Sequence, residues 1–100
     1  MKKVILETCI EKHSVRGNKV DVPLNDKEIL IEILNQPFGE GIKPREMKNR
    51  FRMLDIVEKA EGTLELEEED FKEIGKLISN FPFGIVSRHC LKLSEKFNAE

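Results

Sequence analysis

The chain contains no tryptophan and no tyrosine, so its aromatic content rests on six phenylalanines. Most of these fall on apolar faces expected to be internal, which argues against a base-stacking platform for single-stranded nucleic acid. Cysteine is scarce as well. Cys9 and Cys90 stand near opposite ends of the chain, too few for a disulfide framework, and both read as thiols packed like small hydrophobes in a reducing, cytoplasmic setting. No apolar run approaches the roughly 20 residues that span a bilayer. Glu7 and Glu11 interrupt the segment after Met1-Lys2-Lys3 before a signal-peptide core can form, and no membrane association is expected.

Histidine is equally rare, with His13 and His89 alone available for acid–base work. On one strand Cys9 and His13 would lie roughly 13 Å apart, and adjacent His89 and Cys90 on a helix would point about 100° apart. That spacing chelates metal poorly, so the expectation is two surface or capping histidines and no metal site. The acidic LELEEEDFKE lacks the glycine and alternating ligands of an EF-hand loop. No nucleophile elbow, phosphate-binding glycine loop or dinucleotide fingerprint occurs, so neither an enzyme nor a cofactor is expected.

What is present is a charge distribution hidden by a net charge of −2. Residues 43 to 52 carry Lys43, Arg45, Lys48, Arg50 and Arg52 against Glu46 alone, whereas 65 to 73 carry Glu65, Glu67, Glu68, Glu69, Asp70 and Glu73 against Lys72 alone. Charge is polarised along the chain. One hundred residues at 39% hydrophobic content suffice for a single domain, 1–100, with one modest core.

The β-branched segment Lys3 to Val15, the turn residues Arg16-Gly17-Asn18-Lys19 and the alternation of Val20, Val22 and Leu24 predict a β-hairpin. Pro23 is expected to end its second arm, leaving Lys3 to Ile10 to pair elsewhere or to stay an open edge. Asn25 and Glu28 have the spacing of a capping box for a short buried helix carrying Ile29, Leu30, Ile33 and Leu34 and stopped by Pro37. A loop containing Gly39 and Gly41 follows. Pro44 then opens a helix over 44–60, ended by Gly62. Thr63 to Glu67 alternates as a short strand, Glu68 to Asn80 reads as a helix with acids at its N-terminus, and Ser87 is the expected N-cap of a last helix in which Val86, Cys90, Leu93 and Phe97 share one side. These elements predict an α+β fold: a three-stranded antiparallel sheet, made of the N-terminal hairpin plus a strand near 63–67, packed against three to four helices.

The helix over 44–60 separates two faces. Met47, Phe51, Met53, Leu54 and Val57 fill an apolar arc, of which Met47, Phe51 and Leu54 are expected to anchor the core, while Arg45, Lys48, Arg52 and Lys59 form a basic stripe. The stripe is open to three readings: solvation or pairing with the acidic segment 68–73, an acidic protein partner, or nucleic acid contacted through Lys43, Arg45, Lys48 and Arg52. A helix–turn–helix is disfavoured, since it needs two short helices where this chain predicts one long one. Phe38, Phe81 and Phe83, in apolar loops, are further candidates for assembly contacts.

The segment GIKPREMKNRFRMLDIVEKAEGTLELEEEDFKEIGKLI and the closing FPFGIVSRHCLKLSEKF resemble small proteins of tailed-phage and prophage structural gene clusters. The resemblance implies a non-enzymatic accessory role in head or tail assembly and transfers no functional residue. The expected function is therefore a small protein-interaction module that binds itself or a larger partner through a strand edge or the basic helix face, using Lys43, Arg45, Lys48, Arg52, Phe38 and Phe83. The alternative is a nucleic-acid-binding regulator using the basic stripe.

Overall fold

The computed structural model describes residues 1–36, 41–83 and 86–98. Four strands and four helices follow one another: β1 (Lys2–Ile5), β2 (Thr8–Val15), β3 (Asn18–Asn25), α1 (Asp26–Asn35), α2 (Pro44–Lys59), β4 (Thr63–Leu66), α3 (Glu68–Asn80) and α4 (Arg88–Asn98). The α+β class and the helix positions agree with the sequence pattern. The single three-stranded sheet does not.

Instead, β1 pairs antiparallel with β4, Val4 opposite Leu64, while β2 pairs only with β3. The break falls at Leu6 and Glu7. Leu6 donates its amide to Gly62, but the Glu7 amide donates to the Asp26 carboxylate at 2.8 Å and its carbonyl accepts from the Asp26 amide at 3.0 Å. Leu6 thus faces β4, while Glu7 faces the start of α1 in the same register that sets Thr8 opposite Asn25, so the β1–β4 ladder ends and the hairpin ladder begins between these two residues.

The hairpin also differs in its second arm, because β3 runs through Pro23 to Asn25. Its two-residue loop has Arg16 at φ 51° and Gly17 at φ 83°, a type I′ geometry that makes Val15 and Asn18 the closing hydrogen-bonded pair. Counting back by alternation, Pro23 opposite Ile10 falls at a non-hydrogen-bonded position, where the ring's missing N–H removes nothing from the ladder.

The core lies between the β1–β4 sheet and the helices. Val4, Leu64 and Leu66 from the sheet meet Leu30, Ile33 and Leu34 of α1, Met53, Leu54 and Val57 of α2, Ile74, Leu77 and Ile78 of α3, and Leu93 and Phe97 of α4. Asn25 caps α1 by accepting from the amides of Lys27 and Glu28, and Ser87 caps α4 by accepting from the Cys90 amide at 3.1 Å. Val86 takes no part in the buried face of α4, being almost wholly exposed. Gly75 brings α3 against the end of α4, where a Cβ would sit 3.1 Å from the Phe97 carbonyl oxygen.

Candidate functional site

Helix α2 presents three faces rather than two. Met53, Leu54 and Val57 point inward, but Met47 is 42% exposed and Phe51 67% exposed, so neither anchors the core as the apolar arc predicts. At 100° per residue, Met47 and Phe51 lie beyond Leu54 on the side away from Met53, and the core reaches only as far round as Leu54. The outer part of the arc instead borders an apolar groove of about 290 Å³, lined by Leu34, Asn35, Ile42, Met47, Arg50, Phe51 and Leu54.

Arg50 closes one side of that groove. Its Nη1 donates to the carbonyls of Leu34 at 3.1 Å and Gln36 at 3.3 Å, occupying acceptors that the C-terminal turn of α1 leaves without helical partners. Sequence reasoning counted Arg50 only as a charge. Its spacing from α1 carries no signal of this role.

The basic stripe is partly spent. Arg52 makes a two-pronged ion pair with Asp70, Nη1 to Oδ2 at 2.6 Å and Nη2 to Oδ1 at 2.7 Å, and Lys59 pairs with Asp55 at 3.1 Å. The hydrogen bond to Arg52 holds the Asp70 carboxyl below its ordinary range, against the opposing effect of burial. Lys43, Arg45 and Lys48 are exposed and form no ion pair with a described residue. Phe83 is half-buried and packs edge-on against Phe81, centroids 4.9 Å apart. Phe38 lies outside the described residues.

A second constellation is legible only in three dimensions. Asp26 is fully buried at the start of α1: Oδ2 accepts from the Glu7 amide and from Lys96 Nζ at 2.9 Å, and Oδ1 lies 2.6 Å from His89 Nε2. Among the described residues neither Oδ1 nor Nε2 has a hydrogen-bond partner, so the two atoms meet as a close contact without hydrogen-bond alignment. Lys96 also meets Glu7 Oε1 at 2.7 Å and donates to the Ile5 carbonyl at 2.9 Å. Burial pulls the Lys96 ammonium down, but the hydrogen bonds to Glu7 and Asp26 outweigh it and the net shift is upward. Those same contacts lower Glu7.

Beside it, Glu11 accepts from Ser87 Oγ at 2.6 Å, from the His89 amide at 2.9 Å and from His13 Nε2 at 3.1 Å. Those donors, led by Ser87, hold its carboxyl at about 2. His89 is a buried histidine, contrary to the surface or capping role expected of it, because Ser87 caps α4 where the helix's second residue faces the α1 N-terminus. Cys90 is buried and Cys9 half-buried, and burial pushes the Cys9 thiol up, with the charges of Glu11 and Asp26 adding to the effect. A thiol so placed is a poor nucleophile at neutral pH.

Chemically the two constellations differ. The carboxylate–histidine–lysine cluster ties β1, the hairpin, α1 and α4 together, and neither His13 nor His89 lines any of five clefts found on the described surface. Among the described residues no group of three histidine, cysteine or carboxylate side chains is placed to hold a metal ion, and no helix is long and apolar enough to cross a membrane. The α2 groove, by contrast, offers the exposed apolar side chains of Met47 and Phe51, on a helix that also carries exposed cations. Comparison with protein-family models, with curated proteins and with solved structures yields no match to this chain.

Proposed function

We propose that the chain is a non-enzymatic protein-interaction module whose α2 groove receives an acidic, amphipathic segment of a protein partner. The observation that carries this reading is the exposure of Phe51 and Met47, with exposed Lys48 on the adjoining side of α2 and Lys43 and Arg45 exposed at its start. An aromatic residue left two-thirds exposed is a candidate anchor, because its burial on binding removes a large apolar area from water. The neighbouring cations select the partner's charge and speed its approach. Arg52 contributes less than its place in the stripe suggests, being already paired with Asp70. The resemblance to small phage and prophage structural-cluster proteins supports a partner among head or tail components, with the chain acting as an accessory factor in assembly.

Selection from a library of displayed helical peptides tests the reading. Binders should carry apolar residues at helical spacing with flanking acids, perturb the amide resonances of α2 and the end of α1, and lose about tenfold in affinity with Phe51→Ala. Binders whose perturbations map elsewhere, or that ignore Phe51→Ala, would overturn it. Duplex DNA at low salt is the discriminating control. Binding that disappears when Lys43, Arg45 and Lys48 are changed to Ala would replace the protein partner by nucleic acid.

A further inference from the structure

The tip of the hairpin stands away from the rest of the molecule. Every residue from Ser14 to Asp21 is exposed, and the described residues make no main-chain bond to either outer edge of this two-stranded ribbon between Val15 and Leu24. An isolated pair of strands is marginal in water, and three or more are needed for independent stability. The eight-residue arms therefore extend further than their own pairing supports.

The alternation counted from the Arg16-Gly17 loop identifies which groups face outward. Asn18, Val20 and Val22 direct their amides and carbonyls to β2, so Lys19 and Asp21 direct theirs to the free edge of β3. We infer that this edge pairs antiparallel with the same edge of a second copy of the chain, in a register centred on Val20, to give a four-stranded intermolecular sheet. In that register Lys19 lies opposite Asp21 of the other copy, twice by symmetry, forming four main-chain hydrogen bonds and two opposite-charge side-chain pairs. Val20 meets its own counterpart on the other face, where it is 44% exposed in the single chain.

Neighbouring registers are disfavoured by the same residues. Centring on Asp21 sets Asp21 against itself and spends outward pairs on Pro23, which has no N–H; centring on Lys19 sets Lys19 against itself. The β2 edge offers no equivalent, since Glu11 and Lys12 project to opposite faces and no symmetric antiparallel register of that edge sets one against the other. Pro23 limits the length of the ladder, and the two β2 edges left outside have no register that pairs opposite charges, so a pair forms rather than a growing sheet. The inference is independent of the α2 groove, and either can fail without the other.

Sedimentation and cysteine cross-linking test it. The chain should show a weak monomer–dimer equilibrium, about micromolar or weaker given the small interface. Asp21→Lys should raise the dissociation constant about tenfold or more, and the charge swap Lys19→Asp with Asp21→Lys should restore it. Both positions are exposed, so circular dichroism should be unchanged. Under mild oxidation Val20→Cys should form a covalent dimer, because non-hydrogen-bonded antiparallel partners sit about 4.5 Å apart at Cα, within disulfide range. The chain with only Cys9 and Cys90 should not. A strict monomer up to about 1 mM, a dimer indifferent to Asp21→Lys, or a Val20→Cys chain that stays uncrosslinked would each overturn it.

Discussion

Asp26 Oδ1 and His89 Nε2 meet at 2.6 Å with no hydrogen-bond partner for either atom among the described residues, joining the first turn of α1 to the first turn of α4 across the base of the hairpin. The same carboxylate holds Lys96 and the Glu7 amide, so a single buried side chain organises the place where the strand breaks. Buried ionic groups add little over an apolar replacement of the whole set, but removing one member strands the others.

Asp26→Ala should therefore destabilise the fold by about 3 kcal/mol, since it leaves the buried His89 ring and the Glu7 amide without the carboxylate and takes from Lys96 one of its three acceptors. Urea unfolding measures this directly. A loss below about 1 kcal/mol would mean that water replaces the carboxylate.

Glu11 sets an acid limit. Its carboxyl lies near 2 in the folded chain against an ordinary 4.5, so its contribution is complete above 4.5, where both states are ionised. As pH falls below 4.5 the unfolded chain takes up the proton first, and the contribution shrinks until it is gone near 2. Glu11→Gln should flatten the decline in unfolding midpoint across that window. An unchanged pH profile would show that the Ser87 and His89 donors do not hold the carboxylate in solution.

Arg52 and Asp70 should show a coupling of about 1 kcal/mol in a double-mutant cycle, above the typical surface pair because the geometry is two-pronged but reduced by the half-exposed guanidinium. Asp70 is held below its ordinary range, so this coupling is present above about 3.8 and fades at more acid pH. Measuring the cycle near neutrality and again in acid separates the ionic part from packing.

Phe51 and Leu54 sit on one apolar arc of α2 but should behave differently. Leu54→Ala, at a position 6% exposed, should cost about 2–4 kcal/mol, whereas Phe51→Ala should cost about 1 kcal/mol or less. Equal losses would return Phe51 to the core.

The helices were legible because their signals are local. Asn25 and Ser87 are caps by chemistry, Pro44 opens α2, and the spacing of Ile74, Leu77 and Ile78 marks the inner face of α3 over the span Glu68–Asn80 that the pattern predicts. The strand Thr63–Leu66 was legible too, and so was a partner for the first strand; only the sheet count was not. For α2, periodicity marked the apolar arc without its inner limit, because the width of a buried stripe depends on how close α1 and α3 approach.

Composition and periodicity by themselves determined the α+β class, the order of helices, the hairpin and the polarised charge, since each depends on residues a few positions apart. Tertiary structure alone decided that the two ladders part between Leu6 and Glu7, that His89 is buried against Asp26, that Arg52 is paired and that Phe51 is left outside. Those outcomes rest on contacts between residues distant in the chain, where competing polar groups are satisfied or stranded by geometry that no local pattern encodes.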